Sequence, residues 1–192
     1  VAVNSVPAIT YNFEAARVKR FRKGSGLPIL GPSIDLIEIG AGGGSIAGRN
    51  DLGLLGVGPD SAGSDPGPAC YGLGGGKPTV TDADLLLGYL ATDSFLGGKM
   101  ALDKVAAEKA IARLGEDLGL GVVETARGIC DVVNENMAAA ARVHIAEKGL
   151  DPRSLSMVAT GGAGPVHAVE VAGKLGITRI LFTIAAGVGS CL

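Results

Sequence analysis

Apolar positions along the chain recur in two rhythms. Ala107, Ile111, Leu114 and Leu118 fall at spacings of four, three and four, which places them on one face of a helix over 103–118. Asp103 stands where an N-cap belongs, and Gly119 and Gly121 end the pattern. A longer helical face follows over 123–148, carried by Ile129, Val133, Met137 and Ala140, with Gly149 as its cap and Asp151-Pro152 as its stop. Asn134, Glu135 and Asn136 interrupt that face with polar groups. A solvated side is the simplest reading, and a helix lining a polar cleft is the alternative. A shorter helix is expected over 82–90, with Thr81 as N-cap, Asp84 completing an acidic capping box, and Leu85, Leu86 and Tyr89 packed inward.

The second rhythm is that of short apolar runs bounded by glycine and proline, which predict strands. Residues 11–22 alternate loosely as an edge strand whose basic side chains (Arg17, Lys19, Arg20, Arg22, Lys23) form a solvated run. Residues 27–30 extend, and 34–39 form a buried strand behind Pro32. Residues 44–47 and 54–57 make a hairpin through Gly48-Arg49-Asn50-Asp51. A long irregular loop is expected over 58–68, carrying Asp60 and Asp65. Near the end, a strand over 155–160, a glycine turn at 161–164, a helix over 165–175 and a strand over 178–183 form one parallel unit. Pro165 suits the first helical position, and Gly176 the cap. The class is α/β.

Both glycine clusters sit where a strand gives way to a turn. Glycine lets several backbone N–H groups converge on one object, most often a phosphate, and a helix N-terminus adds to that field. A tight turn is the plainer reading of either cluster alone. Two of them, about 120 residues apart, favour a phosphate cleft closed by folding. Gly43, as a loop residue, is expected to carry little core packing, so a valine there should spare the fold and remove nucleotide binding.

Composition narrows the field. A formal net charge of −2 gives no electrostatic case for nucleic acid or an anionic membrane, and no apolar run is long enough to span a bilayer. Cys70, Cys130 and Cys191 form no Cys-x-x-Cys pair, which argues against structural zinc and a disulfide scaffold and fits a reducing, cytoplasmic setting. The chain starts at Val1 and stops within an apolar segment, which reads as a piece of a longer polypeptide. Gly162-x-Gly164-x-x-His167 misses the dinucleotide fingerprint at its third glycine. There is no P-loop and no Gly-x-Ser-x-Gly elbow. His144 and His167 are expected to be structural, with His167 the better placed at the loop.

Four ordered strings carry a resemblance: residues 39–47, SAGSDPGPACYG over 61–72, PTVTDADLLLG over 78–88, and GGAGPVHA over 161–168. Together they resemble the hydantoinase A/oxoprolinase family, which includes ATP-dependent N-methylhydantoinase, 5-oxoprolinase and subunits of acetone and acetophenone carboxylases. The likeness covers nearly the whole chain, and the segment over 20–29 looks closest to the carboxylase-type branch. It implies an actin-like ATPase lobe, RNase H-like, closing over ATP with Mg²⁺ or Mn²⁺. Gly42, Gly43, Gly44 and Ser45 would match the second phosphate loop, and Gly161, Gly162 and Ala163 the adenosine loop. Asp35 would match the acid opening the strand before the phosphate loop, and Asp65 and Asp82 lie in family motifs as further catalytic candidates.

Residues 1–192 would then be a partial hydantoinase A-type domain: phosphate loop near 40–47, helical part over 81–148, adenosine unit over 155–183. The N-terminal lobe with the first phosphate loop, a strand ending Asp-x-Gly-Gly-Thr, is absent, so these residues alone are expected not to hydrolyse ATP. Thr160 stands where the family has Phe, and Ala185-Ala186 occupies a turn that often contains Pro. The implied reaction uses ATP to phosphorylate the carbonyl oxygen of a cyclic amide (a hydantoin or 5-oxoproline) or of a ketone. The implied partners are that substrate, a hydantoinase B-type subunit and further copies in an oligomer. Two other readings are a non-catalytic actin-like nucleotide-binding module and an unrelated α/β enzyme for a phosphorylated metabolite.

Overall fold

The computed structural model describes residues 2–3, 6–7, 9–15, 24, 26–34, 36–184 and 186–188. Two antiparallel pairs open the chain: β1 (Ala2–Val3) with β2 (Val6–Pro7), and β3 (Ile9–Ala15) with β4 (Leu27–Ile34). β5 (Ser45–Arg49) and β6 (Leu55–Ser61) form the expected hairpin, and Asn50 accepts the N–H groups of Leu52 and Leu54 on its side chain to shape the turn. Four helices follow: α1 (Val80–Leu86), α2 (Lys104–Leu118), α3 (Val122–Glu147) and α4 (Gly164–Leu175). β7 (Met157–Ala159) and β8 (Ile180–Phe182) flank α4 and pair in parallel. No helix among the described residues is long and apolar enough to cross a membrane.

The core divides along α3. Its N-terminal half puts Ala126, Ile129, Cys130 and Val133 against Val80 and Ala83 of α1, Ile111 and Leu114 of α2, and Ala47 and Val57 of the hairpin. Its C-terminal half packs Ala138 against Val171, Ala172 and Leu175 of α4 and against Ile177. Each large apolar side chain wholly removed from water in these clusters, such as Ile111 or Ile129, stabilises the fold by about 1.5–3 kcal/mol. At 26 residues, and about 1.5 Å per residue, α3 is the one helix long enough to reach both clusters.

The helix caps follow the sequence closely. Asp103 accepts the Ala106 N–H at 3.0 Å, and Gly119 and Gly176 close their helices in the left-handed region. The first helix is a correction. PTVTDAD holds two overlapping Thr-x-x-Asp boxes, and the earlier one forms: α1 starts at Val80 with Thr79 as N-cap and Asp82 as its reciprocal partner. Asp82 is selected because its carboxylate also collects N–H groups from the preceding loop, while Asp84 is engaged elsewhere. The helix ends at Leu86, so Tyr89 lies outside it and is 57% exposed.

Residues 36–39 are a second correction, since they are irregular rather than a strand. An apolar run signals burial, not a ladder partner. Ile37 and Ile39 lie against Met137 and Ala140 of α3, around a cavity of about 240 Å³, instead of pairing edge to edge. A third correction concerns 58–68, where β6 continues to Ser61 before the turns begin. The basic run of 17–23, apart from its described neighbours, lies outside the described residues, as do Asp35, Ala185 and Cys191.

Candidate functional site

The 42–45 loop closes on itself before it meets anything else. Ser45 N–H donates to the Gly42 carbonyl at 3.0 Å, and the Ser45 hydroxyl accepts the Gly42 N–H at 3.0 Å. The Gly44 carbonyl then accepts from Ala62, and the Gly43 carbonyl from Thr81 at the start of α1, each at 2.8 Å. The N–H groups of Gly43 and Gly44 have no acceptor among the described residues. Two donors are therefore left over on a loop whose carbonyls are fixed.

The second loop follows β7. Gly161 (φ +86°) donates to the Ala186 carbonyl, while the Gly162 N–H finds no acceptor among the described residues. Gly164 opens α4, so the loop lies at the positive end of a 12-residue helix. Pro165 falls at the second helical position, where its missing N–H costs nothing.

The fold brings the two loops together. A Cβ built on Gly43 would lie 3.7 Å from the Ala163 Cβ, although 120 residues separate them. The same point is 2.6 Å from the Thr81 hydroxyl oxygen, closer than real Cβ contacts come. That overturns the expectation that Gly43 carries little packing: a valine there must displace Thr81, which is only 6% exposed.

Two of the three nominated acids, Asp65 and Asp82, lie among the described residues. Asp82 accepts from Cys70 N–H (2.8 Å), Thr79 N–H (2.9 Å), the Thr79 hydroxyl (2.8 Å) and Ala69 N–H (3.3 Å), and it is fully buried. A carboxylate holding four donors ties α1 to the 69–71 turn. Asp65 is exposed on the turn after β6 and its side chain has no hydrogen bond or ion pair among the described residues. Asp35 lies outside the described residues.

Behind the loops sits a polar cluster that sequence reading did not assemble. Asp84 of α1 accepts from the Cys130 thiol of α3 at 3.4 Å, and its other oxygen lies 3.4 Å from Nε2 of His167 on α4. His167 Nε2 makes no aligned hydrogen bond, nor does Oδ1 of Asn134, one turn beyond Cys130 on the same helix face, and both atoms are buried. Burial first, and then the Asp84 charge, push the Cys130 thiol far up; burial and Asp82 do the same to Cys70. Neither thiol is a nucleophile at neutral pH.

The polar residues 134–136 divide. Glu135 is exposed and pairs with Lys174 at 3.2 Å and Arg142 at 3.7 Å. Asn134 is buried. Asn136 is exposed and borders a groove of about 460 Å³ between α3 and residues 39–41 and 57–59, whose other lining residues are apolar or glycine.

The hydantoinase/oxoprolinase family pattern matches residues 3–192. The chain is 46% identical over 151 residues to the caprolactamase subunit alpha of Pseudomonas jessenii, covering 78% of this chain and 22% of that protein. It is 48% identical over 141 residues to the acetophenone carboxylase gamma subunit of Aromatoleum aromaticum, covering 72% and 19%. The crystal structure of the ATP-dependent caprolactamase from P. jessenii matches with a TM-score of 0.78 at 42% identity, over 89% of this chain and 24% of that one. The nucleotide-free structure of acetone carboxylase, an enzyme of ATP-dependent acetone carboxylation, gives 0.80 at 29% identity over 95% of this chain and 25% of that one. This chain thus spans roughly a quarter or less of the length of these relatives. With nearly every residue matched by the family pattern, the chain belongs to the hydantoinase/oxoprolinase family.

Proposed function

We infer that this chain contributes two nucleotide loops to an ATP-dependent hydrolase or carboxylase subunit of actin-like architecture. ATP would lie between Gly42, Gly43, Gly44 and Ser45 on one side and Gly161, Gly162 and Ala163 on the other. The observation that carries this reading is the proximity of the two glycine loops, close enough that a Cβ added at Gly43 would touch Ala163. The free N–H groups of Gly43 and Gly44 suit phosphate oxygens, and the loop at the α4 N-terminus suits the rest of the nucleotide. Bound ATP would supply the phosphoryl group that makes a carbonyl carbon of a cyclic amide or ketone reactive. The loop amides would stabilise charge developing on the transferred group, and their hydrogen bonds to the protein would keep them aligned.

Among the described residues no three His, Cys, Asp or Glu side chains gather to hold a metal ion, and Asp82 and Asp84 are already engaged. Mg²⁺ or Mn²⁺ therefore enters this reading only as the metal carried by the nucleotide. The substrate amide or ketone and a B-type partner subunit, in an oligomer, complete the proposal.

Titration calorimetry on the full-length protein tests the proposal. Heat with ATP and Mg²⁺ supports it. No heat with ATP, together with clear binding of NAD, replaces it with the dinucleotide reading. Binding of ATP with no turnover on any carbonyl substrate would favour the non-catalytic module.

A further inference from the structure

α1 is short, yet it is tied to the first loop and to the helix that follows the second. At one end its Thr81 N–H holds the Gly43 carbonyl at 2.8 Å; one turn on, Asp84 meets His167, in the first turn of the helix that follows 161–163. The other described contacts between α4 and the rest of the molecule differ in kind. Ala138, Val171, Ala172 and Leu175 form an apolar face, which is non-directional and permits a helix to slide. At the far, exposed end of α4, Lys174 pairs with Glu135, where solvent screens the attraction, and its carbonyl accepts the Arg142 guanidinium at 3.2 Å, a directional tie placed away from the 161–163 loop. Asp84–His167 is buried on both sides, 3% exposed each, and a buried polar contact between two helices tolerates little displacement. Fixing register is the best-attested use of such pairs.

We propose that Asp84 and His167 are positioning residues: their buried contact, with the Thr81 link, sets the distance between the 42–45 and 161–163 loops. This rests on the nucleotide reading above and adds to it. A ligand bound by both loops gains from having its second half delivered at high effective concentration, and that gain depends on spacing. A ligand touching one loop does not depend on it. The pair should therefore matter for whole ATP and hardly at all for its halves.

The test uses full-length protein with Asp84→Asn and His167→Gln, both close in size to the original, with thermal melting to confirm folding. Affinities are measured for MgATP by calorimetry, and for adenosine and for tripolyphosphate by saturation-transfer NMR. The expected result is MgATP weakened by about tenfold or more, with either half-ligand changed by less than about twofold. A cooperatively melting variant that binds MgATP like wild type overturns the proposal. So does a parallel loss for all three ligands, which would mean general damage to the site. Wild-type protein that binds no ATP sinks the nucleotide reading itself, and the spacing role with it.

Should both variants fail to melt cooperatively, hydrogen exchange on wild type decides. Tripolyphosphate held by 42–45 should slow exchange in the first turn of α4, and unchanged exchange there overturns the proposal.

Discussion

Around the 42–45 loop, Gly43 abuts Thr81, Gly44 abuts Ser61 and Ser45 is buried, whereas a Cβ on Gly161, Gly162 or Gly164 would meet no atom within 4 Å. The contrast separates two reasons for a glycine. At 43 and 44 the protein itself leaves no room, so the residue type is explained by packing. At 161 the backbone demands it, with φ at +86°. At 162 and 164 neither reason applies, because the space is open and neither residue takes a positive φ. Gly42 shares that openness within the first loop. Under the nucleotide reading, these open glycines are where a ligand's approach would explain the residue type, and the packed 43 and 44 hold the shape of the first, tied loop.

The sharpest break in this contrast is Asp82→Ala, beneath the tied loop. It strands four buried donors, each worth about 1–3 kcal/mol when left unsatisfied, so the loss should exceed about 4 kcal/mol. Denaturant unfolding measures it. A loss under about 1 kcal/mol would mean that Asp82 is no structural tie, and its catalytic reading would return. Gly43→Val comes next, at about 1–3 kcal/mol, because the added carbons displace Thr81. Nucleotide affinity should fall with it, so this variant confounds folding with binding.

Gly162→Ala separates the two. Stability should stay within about 0.5 kcal/mol, as for a surface change, while ATP affinity drops by tenfold or more in calorimetry. An alanine that leaves ATP binding untouched would reduce 161–164 to a turn. An alanine that destabilises the protein would erase the distinction drawn between the loops.

Much of this arrangement was legible in the sequence, and the failures share one cause. Periodicity located α2 and α3 to within a residue or so, because Ile111, Leu114, Ile129 and Val133 satisfy a local pattern that tertiary contacts reinforce. The hairpin and the parallel unit around α4 were equally plain. What could not be read was which of two valid local choices a distant residue would favour. Thr79–Asp82 and Thr81–Asp84 are equally good capping boxes locally, and the choice lies with the N–H groups of Ala69 and Cys70 and with Cys130 and His167. Residues 36–39 fail likewise: an apolar run shows a need for burial without naming the partner. At the site, both glycine loops were visible as composition, but their meeting at Gly43 and Ala163 was only an expectation. The Asp84–His167 contact joins residues 83 apart and leaves no signal in either segment.

The smallest effect on the folded protein is expected from its two described thiols. Both are attached to α1, on the tied side of the contrast: Cys70 through its N–H to Asp82, and Cys130 through its thiol to Asp84. Burial and the adjacent carboxylate hold each thiol protonated well above the usual range. A folded pKa raised above the unfolded one means that the stabilisation is complete below the unfolded value, about 8.5, and is lost as pH rises past it. In that window the unfolded chain releases thiol protons that the folded chain keeps. Denaturation midpoints at pH 7.5, 8.5 and 9.5 should therefore fall, and fall less steeply in a Cys70→Ala/Cys130→Ala variant; equal slopes would count against the thiols. Site-resolved alkylation at pH 8 then returns to the loops. Neither thiol should react in the wild type or in Gly162→Ala, and both should react faster in Gly43→Val, whose substitution presses directly on α1. Equal labelling in the two glycine variants would mean that the loops are held alike.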